Sequence, residues 1–386
     1  MKVLAITPPN ALTPISGITI TGDVSVGSAT VSAAVLEIGR IDFDPVQHPH
    51  CVLVRVDALT CNYRDKAIVL SELDRLTAAN GDTEQVTFVG SEFCGTVIDI
   101  GIQVTQLEEG DRVIPNAQFP EAPAEGVMPG IATNHASVGW LILHESKLVT
   151  VPDTIPTTTA AGLALGCQTA HSMIRRARIT ADDRVLVTSA RSVTSLFVIA
   201  MLKPIGAQVW ATSTSSWTDE EKATLPDNVS LVPVVQEDEY FPNETLARNF
   251  VADGGVTAVF DPFFDLHLAS AVTLMSQHGR YISCGRVRQH QALGHDIGDT
   301  VAAQALNADY IFNMMVIKNL SLIGNCLGSK NDLCDALDMV SDGRVIPPPV
   351  DSVFGPVEGH RFLERSFSDS NRLGNAILDY RGLGLD

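Results

Sequence analysis

A buried strand, a turn of small residues and an apolar helix follow one another between Val185 and Ala207. The helix ends at Gly206, and a second strand begins directly afterwards. In such a unit the N-terminus of the helix faces the turn, and its free N–H groups suit the pyrophosphate of a dinucleotide. The stretch therefore predicts the first βαβ unit of a dinucleotide-binding fold.

Serine stands in this turn where glycine is expected. The dinucleotide fingerprint is Gly-x-Gly-x-x-Gly or a close variant, whereas the residues predicted here to bind the cofactor are Ser189, Ala190, Arg191, Ser192, Val193, Thr194 and Ser195. A small hydroxyl residue still lets the backbone approach the phosphates, and its OH can donate to them. Alternatively, each added Cβ and hydroxyl fills space that the cofactor needs, and binding is weakened or lost. The residues leave both interpretations open.

The second strand ends without an acidic residue. It runs from Gln208 into Thr212 and Ser213, which are the residues predicted to face the adenine ribose. A carboxylate at that place binds the ribose of NAD and repels a 2′-phosphate, so its absence favours NADP. Arg191 in the turn and Lys222 beyond the strand are either positive charges for that phosphate or exposed solubilising side chains.

Two patterns of secondary structure divide the chain. Before residue 155, short strands broken by glycine, such as Asp111–Pro115, predict a small barrel or sandwich, and Cys51–Ala58 alternates apolar and polar residues as a half-buried strand does. After it, apolar strands such as Leu231–Val235 and Val256–Asp261 alternate with helical segments, which predicts a parallel sheet. We therefore predict a β-rich domain over 1–154 and 330–386 and a dinucleotide-binding domain over 155–329.

The composition argues against several classes of partner. Asp and Glu number 45 against 26 Lys and Arg, a formal net charge of −19, which repels nucleic-acid phosphates and anionic headgroups. No apolar run approaches the roughly 20 residues that span a bilayer, and Pro8, Pro9 and Pro14 interrupt any signal-like stretch. The seven cysteines are widely spaced without a Cys-x-x-Cys pair, so a disulfide framework is not expected. We expect a soluble, cytoplasmic protein that acts on a small molecule.

In their order along the chain, these stretches resemble the medium-chain dehydrogenase/reductase superfamily, specifically its zinc-independent branch of quinone oxidoreductase-like proteins and enoyl reductases. The resemblance runs from about Cys51 to Leu378. Its landmarks are Val52–Ile68, Phe88–Gly101, Val104–Pro115, the dinucleotide unit, Val256–Pro262, Gly279–Arg286, Arg344–Ile346 and Arg372–Leu378. It implies an α/β fold: a GroES-like β-rich catalytic domain, interrupted by a Rossmann domain with a doubly wound parallel sheet.

Many members of that superfamily bind a catalytic zinc, and the resemblance places Asn62, Ser91 and a residue near Leu165 at the ligand positions. None of these binds zinc well, and the four-cysteine lobe of a structural zinc is missing. The resemblance therefore implies a member without a metal. An alcohol then has no Lewis acid to stabilise its alkoxide. Hydride transfer to an activated C=C bond does not need a Lewis acid, because hydrogen-bond donors can stabilise the negative charge of the resulting enolate.

The resemblance also implies roles for single residues. Asn62 and Tyr63 fall where the nicotinamide meets the substrate, Asn62 as a catalytic and cofactor-binding residue and Tyr63 as a donor to the carbonyl oxygen. Alternatively, Tyr63 packs beneath the barrel and Asp65 forms a local hydrogen bond. Thr169 matches a threonine near the nicotinamide, unless its hydroxyl bonds back to its own helical turn. Cys284 and Gly285 follow the carboxyl end of a parallel strand, where ligands bind in open α/β sheets. Asn325 and Leu327 match a segment that closes over the nicotinamide.

Three functions stay open at this point. The leading one is a zinc-independent, NADPH-dependent reductase of an enone, quinone or enoyl thioester, such as a small molecule of a biosynthetic pathway. The second is a non-redox enzyme or binding scaffold that has lost the cofactor, and the third is a zinc-free ketone or alcohol dehydrogenase. The resemblance also implies a homodimer, formed through the apolar edge strand Asn319–Gly324.

Overall fold

A computed structural model describes residues 1–9, 17–78, 85–233, 244–293, 307–369 and 371–382 of the chain. Contacts within the chain divide it into two units. The first comprises Met1–Leu165, Gln289–Leu293 and Pro349–Asp386, and the second comprises Gly166–Arg288 and Gly294–Pro348. Residues 155–165, predicted with the dinucleotide-binding domain, thus belong to the first unit, and residues 330–348, predicted with the β-rich domain, belong to the second.

The first unit is built mainly of antiparallel strands. Its strands are β1 (Lys2–Thr7), β2 (Ile18–Val26), β3 (Ala29–Glu37), β4 (Cys51–Thr60), β5 (Glu92–Ile100), β6 (Arg112–Pro115), β7 (Trp140–His144), β8 (Leu148–Thr150), β15 (Val350–Phe354) and β16 (Asn375–Asp379). Its helices are α1 (Tyr63–Ala78), α2 (Thr157–Ala160) and α10 (Gly359–Phe367). β1, β3 and β2 form a three-stranded sheet, and the others form a sheet ordered β15-β16-β4-β5-β6-β8, with β7 also paired to β4.

The central strand β4 is more deeply buried than its sequence predicts. It pairs with β5, β7 and β16. The alternation of apolar and polar residues predicts one solvent-facing side, but every residue of β4 except Cys51 and Arg55 is buried. Asp57 tolerates this burial because Arg55 and Thr96 donate hydrogen bonds to its carboxylate. The prediction of a half-buried strand was therefore wrong, although the strand itself is present.

The second unit contains the parallel sheet. Its strands are β9 (Arg184–Val187), β10 (Gln208–Ser213), β11 (Val229–Pro233), β12 (Val256–Asp261), β13 (Met275–Ser283) and β14 (Ser321–Gly324). Its helices are α3 (Ala164–Ala177, beginning at the boundary), α4 (Val193–Ile205), α5 (Asp219–Lys222), α6 (Glu244–Ala252), α7 (Phe264–Leu274), α8 (Ala308–Lys318) and α9 (Lys330–Ser341). The order β11-β10-β9-β12-β13-β14, with every neighbouring pair parallel, is the 3-2-1-4-5-6 order of a doubly wound sheet. The predicted α/β fold is confirmed; of the predicted strand Leu231–Val235, the last two residues lie outside the described ranges.

Helix α4 fixes the position of the serine-rich turn. Its residues are apolar on nearly all sides, and Leu196, Phe197 and Ile199 are buried, as expected of a helix enclosed by other elements. Gly206 ends it with φ of +83°, a left-handed conformation that glycine adopts without strain. Among the described residues, no helix combines the length and the apolarity needed to cross a membrane.

Candidate active site

Four polar side chains of the first unit form one hydrogen-bonded cluster around Asn62. The Oδ2 atom of Asp65 accepts hydrogen bonds from the backbone N–H of Asn62 at 2.7 Å and from the hydroxyl of Ser91 at 2.9 Å. The Oε2 atom of Glu92 accepts from the Nδ2 amide of Asn62 at 2.8 Å, and its Oε1 accepts from the backbone N–H of Leu165 at 2.9 Å. The two carboxylates therefore hold Asn62 by its backbone and by its side chain.

Local sequence explains why these groups meet. Asp65 lies in the first turn of α1, where an acidic side chain satisfies a free N–H and starts the helix at Tyr63. Gly90 precedes Ser91 and Glu92, and its φ is +97°. A Cβ at this position would lie 2.8 Å from the side chain of Leu59, so glycine is needed both for the conformation and for the space. The backbone conformation at Gly90 allows the side chains of Ser91 and Glu92 to reach the cluster.

The two carboxyl groups of the cluster are difficult to ionise. Complete burial raises the pKa of Glu92 from 4.5 to about 7, against the lowering effect of the hydrogen bonds from Asn62 and Leu165. Burial likewise raises the pKa of Asp65, and the guanidinium of Arg64, 3.5 Å from Oδ1, partly offsets it. The cluster is thus a site whose charge changes close to neutral pH.

The structure brings together the three positions implied to correspond to zinc ligands. Asn62 and Ser91 both donate to Asp65, while Asn62 and Leu165 both donate to Glu92. An amide, a hydroxyl and an aliphatic side chain are not a donor set for zinc, which prefers thiolate, imidazole and carboxylate ligands. In the described part of the chain, no group of three or more His, Cys, Asp or Glu side chains is arranged to hold a metal ion. The residues present do not fit a zinc ion.

Tyr63, the other predicted catalytic residue, is the first residue of α1 and is partly exposed. The ammonium group of Lys66 lies 4.8 Å from the centre of its ring, within the range of a cation–π contact. Burial, with some repulsion from Arg372, lowers the pKa of Lys66 to about 8. One side of the Tyr63 ring therefore contacts the ammonium group of Lys66. Asn62 is the residue directly before Tyr63.

In the second unit, the serine-rich turn leads from the end of β9 into the first turn of α4. Ser189 has φ of +47°, a left-handed conformation more usual for glycine. Ser192 is the N-cap of α4, and its Oγ accepts from the backbone N–H of Ser195 at 3.2 Å. The buried hydroxyl of Ser195 donates to the carbonyl of Thr188 at 2.9 Å. The hydroxyls of Ser192 and Ser195 are thus bonded within the turn, while Val193 and Thr194 supply first-turn N–H groups of the kind that bind phosphate.

The residues around the predicted ribose position are also hydrogen-bonded among themselves. The backbone N–H of Ala190 donates to the carbonyl of Thr212 at 2.8 Å, which ties the turn to β10. Thr212 is buried, and the hydroxyl of Ser213 donates to the carbonyl of Ser215 at 2.9 Å. These contacts tie the end of β10 to the turn. The end of β10 itself carries no carboxylate.

Arg191 is neither exposed nor an uncompensated positive charge. Its guanidinium forms two hydrogen bonds to the carboxylate of Glu221, at 2.9 and 2.7 Å, and lies 5.0 Å from the centre of the Trp217 ring. Lys222 is half-exposed and pairs with Asp219 at 2.9 Å. Both cations predicted as alternatives for 2′-phosphate binding therefore have an acidic partner.

The remaining predicted cofactor residues lie in the second unit. Thr169 is buried within α3. Cys284 and Gly285 follow β13; burial raises the pKa of the Cys284 thiol to about 12, and the carbonyl of Gly285 accepts from the N–H of Phe264 at 3.1 Å. The side chain of Asn325, which follows β14, donates to the carbonyl of Leu327 at 2.8 Å. Because β13 and β14 are parallel neighbours, these segments lie at the same edge of the sheet, as does the turn after β9.

Sequence reasoning assigned no role in the site to Glu92, Asp65 or Glu221, although the local hydrogen bond predicted as the alternative for Asp65 is present. Glu92 could have been found because it directly follows Ser91, one of the positions that the resemblance places at a zinc ligand. Asp65 follows Asn62 at the spacing of a helix cap. Glu221 carries no such signal, because its partner Arg191 is 30 residues away.

Comparisons with known proteins cover both units. The family described as alcohol dehydrogenase GroES-like domain matches residues 48–152. The chain is 25% identical over 354 residues to an acryloyl-coenzyme A reductase of Sulfurisphaera tokodaii, covering 87% of this chain and 94% of the relative. It is 27% identical over 327 residues to quinone oxidoreductase-like protein 2 of Bos taurus, covering 81% and 80%. A crystal structure of an NAD-dependent alcohol dehydrogenase aligns with a TM-score of 0.67 at 22% identity, over 89% of this chain and 95% of the other.

Proposed function

Since this chain belongs to the medium-chain dehydrogenase/reductase superfamily, we propose that it is an oxidoreductase that reduces an activated C=C bond of a small molecule. The substrate class is an enone, a quinone or an enoyl thioester. The electron donor is NADPH in preference to NADH, and the reaction needs no zinc. The relative from Sulfurisphaera tokodaii is named for a substrate of this class, because acryloyl-coenzyme A carries a C=C bond conjugated to a thioester carbonyl.

The observation that carries the proposal is the donor set around Asn62. A Lewis acid can stabilise the alkoxide that develops when a simple ketone is reduced, and Asn62, Ser91 and Leu165 are not zinc ligands. Reduction of an activated C=C bond places negative charge on an enolate, which a neutral hydrogen-bond donor such as the hydroxyl of Tyr63 stabilises without a metal. The residues present therefore favour the C=C bond over the ketone.

The proposed chemistry gives a role to each predicted site residue. The turn Ser189–Ser195, with the first N–H groups of α4, would hold the pyrophosphate of the nucleotide, and Thr212 and Ser213 would meet its ribose. Thr169, Cys284, Gly285, Asn325 and Leu327 are the predicted neighbours of the nicotinamide, which when bound supplies a hydride for the β-carbon. The hydroxyl of Tyr63 donates to the substrate carbonyl oxygen. Glu92 fixes the amide of Asn62 so that its Oδ1 atom is left as the acceptor.

The proposal is tested first by nucleotide binding and then by turnover. Titration of the protein into NADPH, followed by nicotinamide fluorescence with NADH alongside, is expected to give saturable binding in the micromolar range. Oxidation of NADPH is then followed with an enone, a quinone and an enoyl thioester, and with a simple ketone as the comparison. Reduction of the ketone alone would identify a zinc-free dehydrogenase. Absence of binding at millimolar nucleotide would leave a non-redox enzyme or a scaffold.

Replacing Glu221 with glutamine is expected to tighten NADPH binding about tenfold and to leave NADH binding within about twofold. Glu221 now neutralises Arg191, and the neutral side chain would release the guanidinium for a 2′-phosphate, a gain of the size of one charge-assisted hydrogen bond. The dissociation constants of both nucleotides are measured by fluorescence. Glu220→Gln is the matched control, since it removes the same charge from an exposed neighbour. An equal change for both nucleotides would contradict the assignment of Arg191 to the 2′-phosphate.

We also propose that the chain forms a homodimer through β14. This strand is at the edge of the six-stranded sheet, and Leu322 in it is 37% exposed. Unpaired strand edges bind other strands, and exposed apolar patches mark association sites; Phe312 and Val316 of α8 are more than half exposed. Light scattering at micromolar concentration is expected to give twice the chain mass for the wild type and a single chain mass for Leu322→Lys. Val353→Lys on β15, which is also an exposed apolar position, is expected to stay dimeric. A wild-type monomer would contradict the proposal.

A further inference from the structure

A buried carboxylate next to the serine-rich turn has no part in the function proposed above. Asp261 is the last residue of β12 and is fully buried. Its Oδ1 atom accepts hydrogen bonds from the hydroxyl of Thr188 at 2.7 Å and from the N–H of Phe263 at 2.8 Å, and lies 2.9 Å from Nδ1 of His267. Its Oδ2 accepts from the hydroxyl of Tyr281. One carboxylate thus joins the end of β9 to α7 and β13.

The surroundings of Asp261 keep it charged. Burial alone would raise its pKa, but His267 and the hydrogen bonds from Tyr281 and the N–H of Phe263 bring the pKa below its ordinary value. Burial and the adjacent carboxylate raise the pKa of Tyr281 well above its usual range, so the phenol remains a donor. A buried charge with this many donors is held in one orientation, and so are the side chains that donate to it.

Hydrogen bonds run without a break from Asp261 to the start of α4. The hydroxyl of Thr188 donates to Asp261, and the carbonyl of the same residue accepts from the hydroxyl of Ser195 at 2.9 Å. That hydroxyl in turn accepts from the hydroxyl of Ser192 at 2.9 Å, and Ser192 caps the helix. In a glycine-rich turn, close packing of helix against strand comes from missing side chains. Here it comes from hydroxyl groups that are hydrogen-bonded to one another and, through Thr188, to a fixed charge.

We infer that Asp261 is a positioning residue for the dinucleotide turn, acting through Thr188 to hold Ser195 and Ser192 and so to align the first N–H groups of α4 with a pyrophosphate. The inference rests on the proposed function where it names NADPH as the ligand of the turn. The alignment of the turn itself is a property of the free protein. It can therefore be measured whether or not a nucleotide binds.

The test compares Thr188→Val, which removes the hydroxyl without changing the shape of the side chain, with Thr188→Ser, which keeps the hydroxyl. Thr257→Val is the matched control, because the hydroxyl of Thr257 donates to the carboxylate of Asp183 at 2.6 Å near the opposite ends of the same strands. Two quantities are measured for each variant: hydrogen exchange of the amides from Ala190 to Ser195 in the free protein, and the Kd for NADPH.

In Thr188→Val, the amides from Ala190 to Ser195 are expected to exchange with solvent about tenfold faster than in the wild type. The variant is also expected to bind NADPH about tenfold more weakly. Thr188→Ser is expected to remain within about twofold of the wild type in both. Thr257→Val is expected to lose global stability and yet leave the turn and the nucleotide affinity unchanged. Exchange in Thr188→Val within twofold of the wild type, or an equal effect of valine and serine, would overturn the inference. If the wild type binds neither NADPH nor NADH, the proposed function fails, and the exchange measurement still decides whether the turn is aligned through the Thr188–Asp261 hydrogen bond.

Discussion

Tyr63→Phe is expected to lower kcat for an enone substrate about 100-fold, while the Kd for NADPH stays within about twofold of the wild type. The substitution removes one hydroxyl and keeps the ring. The contact with Lys66, whose ammonium lies 4.8 Å from the ring centre, therefore survives. Loss of one hydrogen-bond donor to a developing oxyanion typically costs a factor of about 10² to 10³ in turnover. Because the donor acts on charge that appears only in the transition state, kcat is expected to fall more than KM rises.

The control for this variant is Tyr380→Phe. The hydroxyl of Tyr380 is buried in the first unit, accepting from the N–H of Leu4 at 3.1 Å and donating to the carbonyl of Ser137 at 2.9 Å. Its removal is expected to reduce the free energy of unfolding by about 1–3 kcal/mol, because buried partners lose their hydrogen bonds, and to leave kcat unchanged. If Tyr63→Phe resembles this control, with reduced stability and wild-type turnover, the phenol is a packing residue, which was the alternative interpretation of the sequence.

Local patterns were sufficient for the fold and for the presence of the dinucleotide unit. The strand Val185–Val187, the small-residue turn and the end of α4 at Gly206 lie where the sequence predicts them, since apolar runs and a helix-ending glycine act over a few residues. The apolar stretch from Thr159 to Arg176 predicts one uninterrupted helix. The structure has two, because the chain turns between Ala160 and Ala164.

Local patterns were not sufficient for the electrostatics of the site. The partners of the important carboxylates are far away in the chain: Glu92 and Leu165 are separated by 73 residues, as are Thr188 and Asp261. Sequence periodicity reports which face of an element is buried, but it does not report which charged side chain of another element meets it. The serine residues illustrate the limit. Their type left two interpretations open, and only their hydrogen bonds show that Ser192 and Ser195 are bonded within the turn.

Glu92 is expected to make the stability of the protein fall as the pH rises from about 4.5 to about 7. Its pKa is about 7 in the folded protein and 4.5 as the reference for the unfolded chain. Below both values the carboxyl is protonated in both states. Between them the folded state keeps a proton that the unfolded chain has released, so each step in pH favours unfolding. This difference in pKa corresponds to a loss of about 3 kcal/mol in the free energy of unfolding. The loss is complete only above the pKa of the folded state.

Glu92→Gln removes this dependence, because the amide is neutral at every pH. Between pH 5 and pH 8, the free energy of unfolding in urea is expected to fall by about 2–3 kcal/mol more for the wild type than for the variant. Glu109→Gln, which removes one exposed charge, is expected to follow the wild type, and a Glu92→Gln curve parallel to both would contradict the assigned pKa. Both oxygens of Glu92 accept from N–H donors, so one side of a glutamine amide would face a donor unless the carboxamide of Asn62 turned over. The variant no longer buries a charge at pH 8, so with the Asn62 carboxamide turned over it is expected to be at least as stable as the wild type at that pH. It is expected to be less active, because the turned carboxamide presents its Nδ2 amide in place of the Oδ1 acceptor.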